Sequence, residues 1–145
     1  MATVELRFSA LPEHVRTARL VAAAVARRAG VDEAVLDEVR LAVGEACTRA
    51  VGLHQSVGIT APVKVALIEE EKQFSIEVGD EAPRSVPGDR AGDAAGGDAE
   101  VEAEEDEMGL AVISGLVDDV EVSAGEHGGL IRMTWPTTPP AAVLA

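Results

Sequence analysis

The feature that most constrains the fold is a run of small apolar residues that recurs with the period of an α-helix. Asp32 stands in front of this run, where its carboxylate can cap the first turn, and Gly52 stands where the helix is expected to end. Aromatic residues make up only 2 % of the chain, so this face must pack against other aliphatic side chains. The run therefore predicts a long buried helix that needs a second aliphatic layer. Its apolar positions are Val35, Val39, Ala42, Val43, Ala46 and Ala50.

Strand patterns predict that second layer. Val4, Leu6 and Phe8 alternate with polar residues, as in a strand with one buried face. Two further runs, 62–70 and 73–80, are separated by an acidic turn and predict a hairpin. With the remaining elements, the order predicts an α/β sandwich of two layers, in which helices lie on one face of a mainly antiparallel sheet. Those remaining elements are helices over 11–30 and 109–117 and strands over 119–123 and 130–135.

The length of 145 residues favours one domain with a substantial core. We expect this domain to cover 1–136 and a proline-rich tail, 137–145, to fray. Between 82 and 107 large apolar residues are scarce, and the part from 88 to 107 is strongly acidic. Such a segment is most often a solvated loop, but its length also fits a lid or a decoy for a basic surface.

The net charge of −14 and the isoelectric point near 4.5 restrict the partners. A field of this sign disfavours direct binding to nucleic acid and to anionic membranes and attracts basic surfaces. Cys47 is the single cysteine and cannot form an intrachain disulfide; a small core residue is its simplest role. The N-terminal residues lack a signal-peptide pattern, and no apolar stretch approaches a membrane span, so a cytoplasmic protein is expected.

Three segments in a fixed order carry a family resemblance. They are DEVRLAVGEACTRAV on the long helix, IEVGDEAPR at a strand end, and EMGLAVISGLVDDVEV after the acidic loop. Together they resemble the histidine-kinase-like ATPase (Bergerat) fold of gyrase, heat-shock-90 chaperones and histidine kinases. The opening LRFSAL and the pair Ala18–Arg19 make the chain similar to the anti-sigma-factor serine kinases, from Val4 to Trp135. That resemblance implies a homodimer that holds a sigma factor and phosphorylates an anti-anti-sigma (STAS-type) partner with Mg-ATP.

The helix motif departs from the family at the metal ligand. The resemblance assigns Glu45 the role of catalytic base, and it expects an asparagine on Mg²⁺ where this chain has Arg49. Arginine offers no acceptor atom and is always charged, so it cannot ligate Mg²⁺ and would repel it. A metal site is therefore not expected, and the scattered histidines do not suggest one. A simple alternative is that Glu45 and Arg49, four residues apart, form an ion pair on the helix surface.

The nucleotide motifs depart from the family as well. The resemblance assigns Asp80 to the adenine amino group, while Ala82 replaces a glycine that lets the backbone approach the base. Gly109 and Leu110 match the end of the phosphate-lid motif, whereas Glu107 replaces its first glycine with a carboxylate that repels phosphate. We therefore expect binding of ATP or ADP to be weak or lost. Asp80 could also be an ordinary residue at a strand end.

The resemblance also points to a partner surface on the first helix. Arg19 matches the arginine with which members of the family contact their partners, and Arg16 lies one turn before it. Both could equally be solvated helix residues. The sequence thus favours an anti-sigma-factor-like regulator that binds an anti-anti-sigma factor, and a sigma factor as well, with a degenerate nucleotide site. Two alternatives remain: a serine kinase that uses Glu45 as base, and a nucleotide sensor whose Arg49 grips a phosphate without transferring it.

Overall fold

The computed structural model describes residues 2–83, 110–117 and 119–138. Short 3₁₀ turns, Pro12–His14 and Glu33–Val35, precede the first two helices. The described part of the third helix covers 110–116. No helix in the described ranges is both long enough and apolar enough to cross a membrane. In chain order the elements are β1 (Ala2–Phe8), α1 (Val15–Ala29), α2 (Leu36–Val57), β2 (Val63–Glu69), β3 (Gln73–Asp80), α3 (110–116), β4 (Asp119–Gly125) and β5 (Gly128–Pro136).

The five strands form one sheet in the order β1-β2-β3-β5-β4, and every neighbouring pair is antiparallel. The predicted hairpin is present as β2 and β3, with Lys64 opposite Gly79 and Glu69 opposite Phe74. β3 lies at the centre of the sheet, and its last residue, Asp80, pairs with Gly129 of β5. The predicted fold class, an α/β sandwich with a mainly antiparallel sheet, is confirmed.

The core lies between the sheet and helices α1 and α2. Alternation along the strands directs one set of side chains toward the helices. α1 contributes mainly alanines to this layer, which lets the two helices and the sheet approach closely. Phe74 and Trp135 are the large aromatic residues of the core, with ring centroids 6.5 Å apart. Among the strand residues of this core are Val63, Val65, Leu67, Ile76, Val78, Ile131 and Met133.

The helix boundaries agree with the sequence except at the end of α2. Asp32 accepts a hydrogen bond from the backbone N–H of Ala34 at 3.0 Å, which is the predicted cap. The predicted end near Gly52 is wrong, because α2 continues to Val57 and ends at Gly58, whose φ is 70°. Gly52 is exposed, and a glycine costs a helix only about 1 kcal/mol there. His54, completely buried one half-turn later, holds the additional turn against the core.

The segments predicted to be irregular are described only in part. Residues 84–107 of the acidic loop, together with Asp118 and 139–145 of the tail, lie outside the described residues. At the start of the tail, the N–H of Thr137 donates to the carbonyl of Lys72 at 3.1 Å. The N–H of Thr138 likewise donates to the carbonyl of Gly30 at 3.0 Å. Backbone hydrogen bonds therefore join Thr137 and Thr138 to the domain, and the fraying of the tail stays a prediction.

Candidate functional site

The long helix α2 presents Glu45 and Arg49 beside a fully buried stripe. Both side chains are half-buried, while Ala46 and Cys47 between them have no exposed surface. The Nε atom of Arg49 is shielded from solvent. Arg49 takes part in an interaction within the protein. The ion pair between Glu45 and Arg49 therefore stays an alternative.

Cys47 lies on the buried side of the same helix turn. Burial removes the thiolate from water and raises the pKa of the Cys47 thiol from 9.0 to about 12. A thiol in this state is neither a nucleophile nor a metal ligand near neutral pH. The interpretation of Cys47 as a small core residue agrees with this environment.

At the end of β3, the carboxylate of Asp80 supports the following turn. Its Oδ1 accepts a hydrogen bond from the backbone N–H of Ala82 at 3.0 Å, and Asp80 as a whole is 7 % exposed. Ala82, where the family motif expects a glycine, is buried with 2 % exposure. A buried methyl group at this point occupies space beside Asp80. Asp80 and Ala82 thus lie together at the end of β3. One carboxylate oxygen of Asp80 holds the backbone that follows the strand.

Gly128, at the start of β5, allows the β4–β5 turn to press against this strand end. Its φ of 122° is one that residues with a side chain rarely adopt. A Cβ at this position would lie 2.0 Å from the carbonyl oxygen of Asp80 and 2.8 Å from the Cα of Glu81. The backbone of the candidate site therefore depends on a glycine that the sequence motifs did not single out.

His54 joins the end of α2 to the same strand exit and was not predicted to take part in the site. Its Nδ1 lies 2.9 Å from the carbonyl oxygen of Ala61, and the backbone N–H of Glu81 donates to its Nε2 at 2.8 Å. Because Nε2 accepts a hydrogen bond, the neutral ring carries its proton on Nδ1 and donates to Ala61. The only sequence signal was its position, which continues the buried stripe of α2 through Cys47 and Ala50.

An open pocket of about 450 Å³ lies beside Asp80, along the β4–β5 hairpin. Besides Asp80, its described lining consists of hairpin residues 123–130, which include Glu126 and His127. Glu45, Arg49 and Ala82 are not among the described residues that line it. The pocket therefore does not bring the helix motif and the strand motif together around one ligand.

The residues present at the helix motif do not fit Mg²⁺. The guanidinium of Arg49 stands where the family's metal ligand would be, and it has no acceptor atom. Across the described ranges, no three His, Cys, Asp or Glu side chains come together as a ligand set. At the strand motif, Ala82 is buried, and its N–H donates to the carboxylate of Asp80.

The third motif is described only at its end. Leu110 is half-buried at the start of the described part of α3 and packs against the core. Glu107 and Gly109 lie outside the described residues, so their predicted roles stay predictions.

Two arginines of α1, Arg16 and Arg19, differ from most other described arginines because they form no salt bridge. Arg16 and Arg19 are exposed, and no salt bridge within the described ranges involves either of them. Arg27 and Arg28, on the same helix, contact Glu33 and Glu69. Further arginines with carboxylate partners are Arg7, Arg40 and Arg132. Arg16 and Arg19 thus form a basic patch on α1 without a salt bridge in the described structure, although the chain as a whole carries a net charge of −14.

Comparisons with known proteins agree with this fold. A family model described as the histidine kinase-like ATPase domain matches residues 8–135. Among solved structures, the chain is similar to the RsbU and RsbW domains of Rv1364c from Mycobacterium tuberculosis, with a TM-score of 0.66 and 16 % sequence identity. The similarity covers 96 % of this chain and 34 % of that one, so this chain spans about a third of its length. No curated protein matches the chain. Since the family model spans most of the chain and the fold agrees with it, the chain belongs to the histidine kinase-like ATPase family.

Proposed function

We propose that this protein is an anti-sigma-factor-like regulator that acts by binding an anti-anti-sigma (STAS-type) partner. A sigma factor would be its second partner, and phosphotransfer would be weak or absent. The observation that carries the proposal is the pair of exposed arginines on α1, Arg16 and Arg19, which have no carboxylate partner in the described structure.

This chain has many acidic residues that can pair with an exposed arginine. On the same helix, Arg27 pairs with Glu33 and Arg28 pairs with Glu69. An arginine left without such a neighbour keeps its full capacity for a bidentate bond to a carboxylate of another protein. Exposed apolar residues on the two helices, Leu20 with 57 % and Leu41 with 56 % exposure, supply area that a partner can bury. The proposed partner surface is therefore the α1 face around Arg16 and Arg19, extended by these leucines.

Weak phosphotransfer follows from the chemistry of Arg49. Transfer of a phosphoryl group depends on a metal ion that offsets the developing charge, and the guanidinium of Arg49 can only oppose that metal. Glu45 remains as a candidate base, but a base alone does not position a nucleotide. ATP or ADP could still bind without Mg²⁺ through an arginine–phosphate contact, which would make the protein a nucleotide sensor.

Two further parts of the proposal do not rest on the site. The protein would form a homodimer, and it would work in the cytoplasm, where its partners act. Light scattering coupled to size-exclusion chromatography measures the first directly: a mass near twice 15.0 kDa supports the dimer, and a mass near 15.0 kDa contradicts it.

The test of the proposal uses a purified, fluorescently labelled anti-anti-sigma protein of the same organism. Its affinity is measured by fluorescence anisotropy against the wild type, Arg16→Ala, Arg19→Ala and the control Arg27→Ala. Arg27 lies on the same helix and its substitution removes the same charge, but it is already paired with Glu33. We expect Arg19→Ala to weaken binding about tenfold or more, as for an interface arginine, and Arg27→Ala to change it less than about twofold. Equal effects of the Arg19 and Arg27 substitutions would refute the proposed surface.

A further inference from the structure

The helix that carries the nucleotide motif also supports the proposed partner arginine. Gly44 of α2 is buried, and a Cβ built on it would lie 2.6 Å from the Cδ of Arg19, 3.4 Å from its Cγ and 3.7 Å from its Nε. The aliphatic part of the Arg19 side chain therefore packs on α2 at Gly44, where there is no side chain in its way. Arg19 as a whole remains exposed.

A second glycine of the same helix shows that this contact is specific. Gly52 also lies within α2, but a Cβ there would have no heavy atom within 4 Å. Both glycines weaken the helix, because glycine has more conformational freedom to lose than alanine. Of these two glycines, only Gly44 has a side chain from another element in the space that a methyl group would occupy.

We infer that Gly44 is a positioning residue that holds the guanidinium of Arg19 ready for a carboxylate of the protein partner. The inference rests on the proposed function, since it takes Arg19 as a partner contact. A side chain that already lies against a helix has fewer conformations to lose when the partner binds, and this pre-organisation strengthens binding. An alanine at position 44 would push the Cδ of Arg19 aside. Because Arg19 is exposed, it can swing into solvent without disturbing the core.

The inference predicts an unusual combination of effects for Gly44→Ala. The substitution improves the helix, so the unfolding midpoint should stay the same or rise. Binding of the labelled anti-anti-sigma protein should nevertheless weaken about threefold to tenfold, the loss expected when one long side chain must be ordered on binding. Gly52→Ala is the matched control: it brings the same helix improvement and should leave the affinity within about twofold, because nothing lies near its methyl group.

The experiment measures the affinity and the urea unfolding midpoint for the wild type, Gly44→Ala, Gly52→Ala, Arg19→Ala and the double variant Gly44→Ala/Arg19→Ala. We expect the double variant to bind no worse than Arg19→Ala alone, since Gly44 acts through Arg19. An NMR spectrum of the arginine Nε–Hε groups supplies a reading without the partner: the Arg19 signal should move toward the position of a solvated arginine in Gly44→Ala and stay in place in Gly52→Ala.

The outcomes separate this inference from the function on which it rests. If Arg19→Ala binds like the wild type, the proposed partner surface is wrong, and the role of Gly44 is wrong with it. If Arg19→Ala is impaired while Gly44→Ala binds normally, or if the Arg19 signal does not move, the inference alone is overturned. A Gly44→Ala variant that fails to fold also contradicts it, because the displaced side chain should be free to move.

Discussion

The α1 face and the strand exit at Asp80 use their polar groups in opposite ways. At the strand exit, Asp80 accepts the N–H of Ala82, and His54 joins Ala61 to Glu81, so these groups hold the protein's own backbone. On α1, the two arginines of the proposed partner surface form no salt bridge in the described structure. The polar groups at the strand exit thus support the protein's own backbone, whereas we propose that the α1 arginines are available to a protein partner.

Removal of His54 is expected to have the largest effect on the strand exit. His54→Ala deletes a completely buried ring and leaves the Glu81 N–H and the Ala61 carbonyl without their partner. We expect the free energy of unfolding to fall by about 2–4 kcal/mol, from the cavity and the lost hydrogen bonds together. Urea denaturation measures it, and His127→Ala, at an exposed turn residue, is the control. A loss no larger than that of the control would show that His54 does not hold the strand exit.

Gly128 tests the backbone side of the same region. Gly128→Ala forces a side chain into a φ of 122° and against the carbonyl oxygen of Asp80, so the hairpin turn must move away from β3. We expect a destabilisation of about 2 kcal/mol, typical of a strained backbone position, and a shift of the Asp80 amide signal in NMR spectra. Gly125→Ala is the matched control in the same hairpin, because a Cβ there meets nothing within 4 Å. Similar unfolding curves for both variants would contradict the close approach.

Substitution of Cys47 is expected to have the smallest effect on stability, and it tests whether the buried face of α2 is shielded from water. Burial raises its pKa from 9.0 to about 12, so above pH 9 the unfolded chain releases a proton that the native protein keeps. Stability from this group is present below pH 9 and is lost as the pH rises toward 12. Between pH 8 and pH 10 the wild type should therefore lose about 1 kcal/mol more than Cys47→Ala. Denaturant titrations at both pH values measure this, and parallel losses in the two proteins would mean that Cys47 is not shielded.

Much of the fold could be predicted from local patterns. The alternation in β1 to β3 and the helical spacing in α2 indicate which faces are buried, and Asp32 marks a helix start by a hydrogen bond within its own turn. The end of α2 could not be predicted in the same way. Gly52 resembles a stop signal, but the burial of His54, which depends on Ala61 and Glu81, carries the helix past it.

The residues of the site that belong to a motif could be predicted from the sequence. The contacts between segments far apart in the chain could not. The sequence located Asp80 and Ala82 correctly at the exit of a strand, because the strand pattern ends there. The contact of Gly44 with Arg19 and that of Gly128 with Asp80 join residues from different elements. No spacing along the chain encodes such pairs, since they depend on how helices and strands pack.

We propose that the helix motif no longer supports a Mg-nucleotide site, while the α1 face binds protein. Calorimetric titration of the wild type with ATP and with ADP, each with and without Mg²⁺, tests the first half directly. Arg49→Asn restores an acceptor at the metal position and shows whether the rest of the pocket can still respond. We expect no Mg²⁺-dependent binding by the wild type, because Arg49 offers the metal no acceptor. Micromolar binding that requires Mg²⁺ in the wild-type protein would contradict the account and make it a kinase candidate again.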